Sequence, residues 1–186
     1  MDIVISDELW LDTWKTQSTT TNSLSWRDFC WKNQIRFFIT PKQKSKQTGN
    51  QLECWRKCGN IAVDHAHVFW SCPVVQPFWK EATELISKVM GFTVSDSFES
   101  LYLGQLPDGL CQDDAYLFKV LLVASKKAIT RNWLQEKCPT MELLISIVKQ
   151  LHLLEQMTFS LRLQKELGEK RWEKWLSYLH GLSDSI

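Results

Sequence analysis

The sequence has no apolar run long enough to cross a membrane. A membrane-spanning helix needs roughly 20 consecutive apolar residues, whereas the longest stretch here, residues 116–124, is interrupted by Lys119. The first ten residues contain acidic side chains and no basic segment ahead of an apolar one, so we expect no signal peptide. These features predict an intracellular protein without a membrane partner, and they leave nucleus and cytoplasm open.

Sequence motifs of common catalytic sites are also missing. We find no Tyr-x-Asp-Asp polymerase motif, no G-x-x-x-x-G-K-[ST] phosphate loop, no G-x-S-x-G elbow and no H-E-x-x-H metalloprotease motif. Asp113 and Asp114 are adjacent, but no strand hairpin frames them, and they suit the N-terminus of a helix. We therefore expect a non-catalytic chain with no small-molecule substrate.

A strong excess of positive charge is absent as well. The 186 residues carry 22 basic and 21 acidic side chains, for a net charge of +1. Free-standing nucleic-acid-binding domains are usually strongly basic, so the overall charge counts against that function. Hydrophobic residues make up 44% of the chain, which is enough for a folded core.

The spacing of apolar residues predicts a mainly α fold. Apolar residues after Pro73 recur every three or four positions, which predicts a bundle of about four helices behind a small cysteine-rich subdomain. Gly91, Pro139 and Gly168 mark expected ends or breaks, and Thr140 is the expected N-cap of one helix. We expect three regions: a weakly ordered N-terminal segment at 1–24, a basic and cysteine-rich segment at 25–80, and a helical region at 81–186.

The second region has its own local predictions. Ser25 and Asp28 have the spacing of a capping box, which predicts a helix that continues to about Phe38. Residues 42–50 are rich in Lys, Gln, Ser and Thr and predict a loop.

Three of the six cysteines lie in one short segment together with a histidine. Cys54, Cys58, His67 and Cys72 have the spacing C-x3-C-x8-H-x4-C. Thiolates and imidazole are the ligands of tetrahedral zinc, and four protein ligands leave no open position for catalysis. The spacing therefore predicts a structural zinc site, and the alternative is a set of ordinary buried cysteines.

His65 is the alternative to His67 as the histidine ligand. The His67-x4-Cys72 spacing places its two residues on nearby helical positions, so His67 is preferred. Asp64 and His65 would then either hydrogen-bond to the ligand side chains or face water. The choice between the two histidines depends on geometry.

Basic and aromatic residues are interleaved around the cysteine-rich segment. Basic side chains contact phosphates and aromatic rings stack on unpaired bases, so this composition fits RNA or single-stranded DNA. The alternative is a solvated lysine loop beside aromatics that pack around the metal. The candidate nucleic-acid-binding residues are Arg36, Lys42, Lys44, Lys46, Trp55, Arg56 and Lys57.

Two sequence runs resemble a known protein family. The runs HVFWSCP at residues 67–73 and ASKKAITRNW at residues 124–133 are similar to the cysteine-rich C-terminal part of LINE-type retrotransposon reverse transcriptases. The likeness covers roughly residues 30–180, and Cys54, Cys58, His67 and Cys72 match the family's zinc-knuckle pattern. The resemblance implies binding of template RNA or target DNA, while the family's polymerase and endonuclease have no counterpart here.

A second hypothesis is an inert or protein-interaction remnant of a truncated retrotransposon, in which zinc only stabilises the fold. The near-zero net charge favours it, and so do the apolar helices after Pro73, which could self-associate through exposed faces. The two hypotheses differ in where the charges lie. Basic residues that converge beside the metal favour nucleic-acid binding, and scattered ones favour the remnant.

Overall fold

The computed structural model describes residues 6–18 and 20–183 of the chain. Every regular element within these ranges is helical, so the predicted mainly α fold is confirmed. Two π-helical turns, His67–Ser71 and Phe98–Leu103, lie before and after the fourth helix. The α-helices are α1 (Asp7–Ser18), α2 (Leu24–Gln34), α3 (Pro41–Thr48), α4 (Gln76–Met90), α5 (Gln112–Arg131), α6 (Met141–Leu161) and α7 (Lys165–Ser183).

Local chemistry explains several helix ends. Thr40 begins α3 with a complete capping box, because its side chain accepts from the Gln43 N–H and the Gln43 side chain accepts from the Thr40 N–H at 2.9 Å. Thr140 caps α6 as predicted. Gly91 ends α4 with φ at 78°, a left-handed conformation that glycine adopts without steric penalty.

Helices α4 to α7 pack against one another as a four-helix bundle around a shared hydrophobic core. The helix α5 is the most deeply placed, and its residues 120–126 are all buried. Each helix contributes a large aromatic side chain that is fully buried: Trp79 from α4, Phe118 from α5, Phe159 from α6 and Trp172 from α7. Burial of apolar surface on this scale is the main stabilising contribution to the fold.

Two helices lie where the sequence predicted little regular structure. The helix α1 occupies part of the segment 1–24, of which residues 1–5 and 19 lie outside the described residues. It packs against α2, where the Gln34 side chain donates to the Thr13 carbonyl at 3.3 Å. The loop predicted over residues 42–50 is largely helix α3, since the Thr40 cap and Pro41 together make a strong helix start.

The predicted bounds of α2 are also wrong. The helix begins at Leu24, so Ser25 and Asp28 lie inside it and do not form a capping box. It ends at Gln34, before Phe38, and the chain then turns at Arg36 with φ at 55°.

The break expected at Gly168 lies a few residues earlier. Leu163, with φ at 56°, separates α6 from α7, and Gly168 is buried inside α7. A Cβ at position 168 would lie 2.7 Å from the Phe159 ring, so the absence of a side chain permits close packing of the two helices. The glycine therefore has a packing role there.

The cysteine-rich segment joins α3 to α4 and contacts the bundle. The predicted boundary between residues 80 and 81 falls inside α4, and the same core contains residues from both sides of it. None of the helices in the described part of the chain is both long and apolar enough to cross a membrane.

Candidate metal centre

A small hairpin presents the first two cysteines. Glu53 and Ile61 form an isolated antiparallel bridge, and the Cys54 N–H donates to the Asn60 carbonyl at 2.8 Å. Between them the Lys57 N–H donates to the Cys54 carbonyl at 2.8 Å, which closes a tight turn. The chain leaves this turn through Gly59, with φ at 82°, a conformation that suits glycine.

A π-helical turn presents the other two residues. The Cys72 N–H donates to the His67 carbonyl at 3.0 Å, the five-residue hydrogen bond that defines a π turn. In an α-helix a five-residue step leaves side chains about 140° apart around the axis, whereas the wider turn brings His67 and Cys72 to one side. The Asp64 carboxylate accepts from the His67 N–H at 3.0 Å and so fixes the start of this turn.

The four side chains meet in one cluster. The ligand atoms of Cys54, Cys58, His67 and Cys72 all lie within 4.8 Å of one another. The Sγ atoms of Cys54 and Cys72 are 3.9 Å apart, and Cys58 Sγ is 3.4 Å from His67 Nε2. Tetrahedral zinc has edges of about 3.8 Å between sulfurs and about 3.6 Å between sulfur and nitrogen. The cluster therefore has the donor set and the spacing to hold a metal ion.

The thiols of the cluster are free, and the pKa values of Cys54 and Cys58 are shifted in opposite directions. The Cys54–Cys72 sulfur separation is far longer than the roughly 2.05 Å of a disulfide. Burial raises the pKa of the Cys54 thiol to about 12, against a smaller lowering by the Arg56 N–H. Burial also raises the pKa of Cys58, but hydrogen bonds from Asn60 and Cys54 outweigh it, so that pKa is lowered overall. A cation at the centre would stabilise all three as thiolates.

The surroundings of His67 favour the neutral form, which is the form that binds a metal. Burial lowers the pKa of His67, and the positive charge of Arg56 lowers it further. A neutral imidazole has a free nitrogen lone pair, which a metal ligand requires. Its Nε2 atom points at Cys58, inside the cluster.

His65 faces away from the cluster. Its Nδ1 lies 3.0 Å from the Tyr102 hydroxyl, and its ring packs on Phe69 with centroids 4.6 Å apart. Burial lowers the pKa of His65 to about 4, with a further contribution from Arg36. The geometry therefore favours His67 as the histidine ligand and gives His65 a place in the packing between the π turn and the bundle.

Arg56 supports the cluster instead of facing solvent. It is only 3% exposed, and its Nη1 donates to the Val68 carbonyl at 2.9 Å, which ties the hairpin to the π turn. This burial does not favour contact of Arg56 with nucleic acid, which stays an untested prediction. The Trp79 Nε1 donates to the Phe69 carbonyl at 2.7 Å, so α4 holds the same turn from the other side.

One supporting residue was missed from the sequence. The side-chain amide of Asn60 donates to Cys58 Sγ at 3.3 Å, a contact that stabilises a thiolate. An asparagine two residues after a cysteine carries no specific signal, because many turn residues are asparagine for backbone reasons alone.

The remaining candidate residues for nucleic-acid binding separate into two groups. Arg36 and the α3 lysines Lys42, Lys44 and Lys46 are exposed. The other two, Trp55 and Lys57, have partners within the protein. Trp55 is half-buried, with the Lys44 ammonium 5.7 Å from its ring centroid, and Lys57 forms an ion pair with Glu136. The exposed cations belong to residues 29–52, which contain five basic residues and no acidic one. The whole chain is only +1, so its positive charge is concentrated here.

No family model matches the sequence.

Proposed function

We propose that this chain is a non-catalytic nucleic-acid-binding module with a structural zinc ion at Cys54, Cys58, His67 and Cys72. The observation that carries the proposal is the concentration of five cations, without an acid, in residues 29–52 directly ahead of the metal cluster. Nucleic acid is a polyanion, and its affinity for proteins comes largely from such cations.

The zinc in this proposal stabilises the fold and takes no part in chemistry. Four protein side chains complete a tetrahedron and leave no position for water or substrate. Two of the ligands, Cys54 and Cys72, are almost fully buried. Zinc is preferred to other metals because three thiolates and one imidazole match its ligand preference.

Two hydrogen bonds join helix α3 to the residues that flank the hairpin of Cys54 and Cys58. The Lys42 N–H donates to the Val63 carbonyl at 3.0 Å, and the Leu52 N–H donates to the Ser45 hydroxyl at 3.0 Å. Zinc binding would therefore also position α3 and its three lysines. This coupling supports a role of the metal in holding a binding surface.

The sequence likeness supports the same function. The runs at residues 67–73 and 124–133 are similar to the C-terminal part of LINE-type reverse transcriptases, and we infer descent from such a region. In that setting the partner would be the RNA template or a single-stranded DNA.

Salt-dependent binding tests the proposal. We would measure the affinity for a single-stranded oligonucleotide, as RNA and as DNA, over a range of salt for the wild type and for Lys42→Gln/Lys44→Gln/Lys46→Gln. Each lost phosphate contact reduces the slope of log K against log salt by about 0.7, so we expect a slope smaller by about 2. Zinc content and thermal unfolding verify that the variant is folded.

The matched control removes cations that are already paired with acids. Lys165 and Lys170 on α7 lie 3.6 Å from Glu169 and 3.2 Å from Asp113. We expect Lys165→Gln/Lys170→Gln to bind like the wild type. A wild type that binds without salt dependence, or a triple variant that binds as well as the control, would count against nucleic-acid binding.

An apolar surface favours a second candidate function, protein interaction. Large apolar side chains on the last turns of α6 and in the α6–α7 connection are exposed beside a groove of about 470 Å³. They are Leu153, Leu154, Met157, Leu161 and Leu163, which are 56–94% exposed. Several large apolar side chains exposed within one short segment often mark a protein contact.

A further inference from the structure

The connection between α2 and α3 presents an aromatic side chain to solvent. Phe37 is 58% exposed and Ile39 is 55% exposed, while Phe38 between them packs inward. The Phe38 ring contacts Phe29 and Trp133 with centroids 5.8 and 5.5 Å apart. Phe38 therefore faces the core, while Phe37 and Ile39 on either side of it face solvent.

This connection is held in a single position. The Phe37 N–H donates to the Lys32 carbonyl at 2.9 Å, and the Trp133 Nε1 donates to the Ile39 carbonyl at 2.9 Å. The capping box at Thr40 fixes the next residue. Because the backbone is fixed on both sides of Phe37, little conformational entropy would be lost when a ligand contacts its ring.

One cation lies over the exposed ring, and a second is adjacent to it in the chain. The Lys32 ammonium lies 5.5 Å from the Phe37 ring centroid and is held there by the Asp28 carboxylate at 2.7 Å. Arg36 is the preceding residue and is exposed. Asp28 offsets part of this charge, but no acid follows it until Glu53. An exposed ring with a cation over it and a second basic residue next to it in the chain suits a ligand with both a flat apolar face and negative charge.

We infer that Phe37 is a stacking platform for an unpaired base, and that Arg36 and Lys32 contact the flanking phosphates. This inference rests on the proposed function and narrows it to single-stranded nucleic acid, because bases in a duplex are covered by their neighbours. Stacking uses the face of the base, which RNA and DNA share, so we expect similar affinity for both sugars.

The test distinguishes the contribution of the bases to binding affinity from that of the phosphates. We would compare a single-stranded DNA oligonucleotide with one of equal length that contains only abasic sites, for the wild type and for Phe37→Leu. Leucine keeps an apolar side chain but has no ring to stack. A stacked base contributes affinity that is lost on truncation of the ring, and we expect Phe37→Leu to weaken binding of the normal oligonucleotide roughly five- to tenfold.

Binding of the abasic oligonucleotide shows whether the Phe37 ring acts through the bases. It retains the phosphates, so the wild type and Phe37→Leu should bind it equally, with an affinity close to that of Phe37→Leu for the normal strand. Ile39→Ala is the matched control, since it truncates a neighbouring side chain of similar exposure. It should leave the preference for normal over abasic DNA unchanged. An RNA strand of the same base sequence tests the expected indifference to the sugar.

Different results would overturn different statements. Equal wild-type affinity for normal and abasic strands, with salt dependence retained, would overturn the stacking role and leave the proposed function intact. Absence of any binding by the folded, zinc-loaded wild type would overturn both. If Phe37→Leu altered only self-association in sedimentation, the ring would be a protein contact instead of a stacking platform.

Discussion

The Cys72 N–H donates to the His67 carbonyl at 3.0 Å, and this π turn brings both side chains to the metal cluster. His65, two residues earlier, faces Tyr102 instead. The two histidines therefore have different expected effects on metal binding.

We expect the wild type to bind one zinc ion, His67→Ala and Cys58→Ser each to lose it, and His65→Ala and Cys111→Ser to retain it. Cys111 is an exposed cysteine outside the cluster. The free energy of binding a structural zinc is on the order of 10 kcal/mol in small domains and is coupled to folding, so the zinc-free variants should unfold at markedly lower temperature. Metal analysis and thermal unfolding measure this. Retention of zinc in His67→Ala together with its loss in His65→Ala would reverse the assignment.

Gly168 on α7 should not tolerate alanine. Replacing a helical glycine by alanine usually stabilises by roughly 0.5–1 kcal/mol, but the added Cβ would lie 2.7 Å from the Phe159 ring. Overpacking of this kind costs roughly 1–3 kcal/mol, so we expect Gly168→Ala to lower the free energy of unfolding by about 1 kcal/mol. Urea denaturation measures it.

The control for this change is Gly181→Ala, on the same helix, where a Cβ would meet nothing within 4 Å. We expect it to be neutral or slightly stabilising. Phe159→Leu should relieve part of the effect of Gly168→Ala in a double-mutant cycle. Additive effects of the two changes would contradict a clash between them.

Lys126 should make stability depend on pH. It is buried, its ammonium donates to the Tyr102 carbonyl at 2.6 Å, and burial lowers its pKa from 10.5 to about 8. Between these values the unfolded chain binds more protons than the folded one, so this group makes stability rise as pH increases from about 8 to 10.5. Lys126→Met should remove that rise, which by 1.36 kcal/mol per pKa unit amounts to roughly 3 kcal/mol.

Wild-type Lys126 and Lys126→Met are best compared in a Cys30→Ala background. Burial raises the pKa of the Cys30 thiol, and Cys30 interacts electrostatically with Lys126. Free energies of unfolding at pH 7.5 and pH 9.5 would capture about 2 kcal/mol of this rise. Lys80→Met, at an exposed position of α4, should keep the pH dependence of the parent. An identical pH dependence in Lys126→Met would mean that Lys126 does not titrate in this range.

The exposed leucines after α6 should promote self-association. Leu161, which lines the apolar groove, is 85% exposed, and Leu163 in the connection that follows is 94% exposed. We expect sedimentation velocity to find dimers or larger species that increase with concentration and that Leu161→Gln/Leu163→Gln reduces. The control is Leu134→Gln, since Leu134 is 69% exposed elsewhere on the surface. A wild type that remains monomeric at all concentrations would argue against the protein-interaction function.

Local features of this protein were predictable from the sequence. The helical class follows from apolar spacing, and the Thr140 cap and the Gly91 end follow from the chemistry of single residues. The cluster of Cys54, Cys58, His67 and Cys72 was also predictable, because ligand type and spacing along the chain are local properties. Helix α3 was missed, since its composition resembles a loop and its capping box was not recognised.

The direction of individual side chains was decided only by the tertiary structure. The sequence left His65 and His67 open, and packing of His65 on Phe69 and Tyr102 resolves them. Arg56 looked like a surface cation until the fold placed the Val68 carbonyl beside its guanidinium. The position of a basic residue in the sequence does not reveal which groups will surround it in the fold. Its burial is set by contacts between elements that are far apart in sequence.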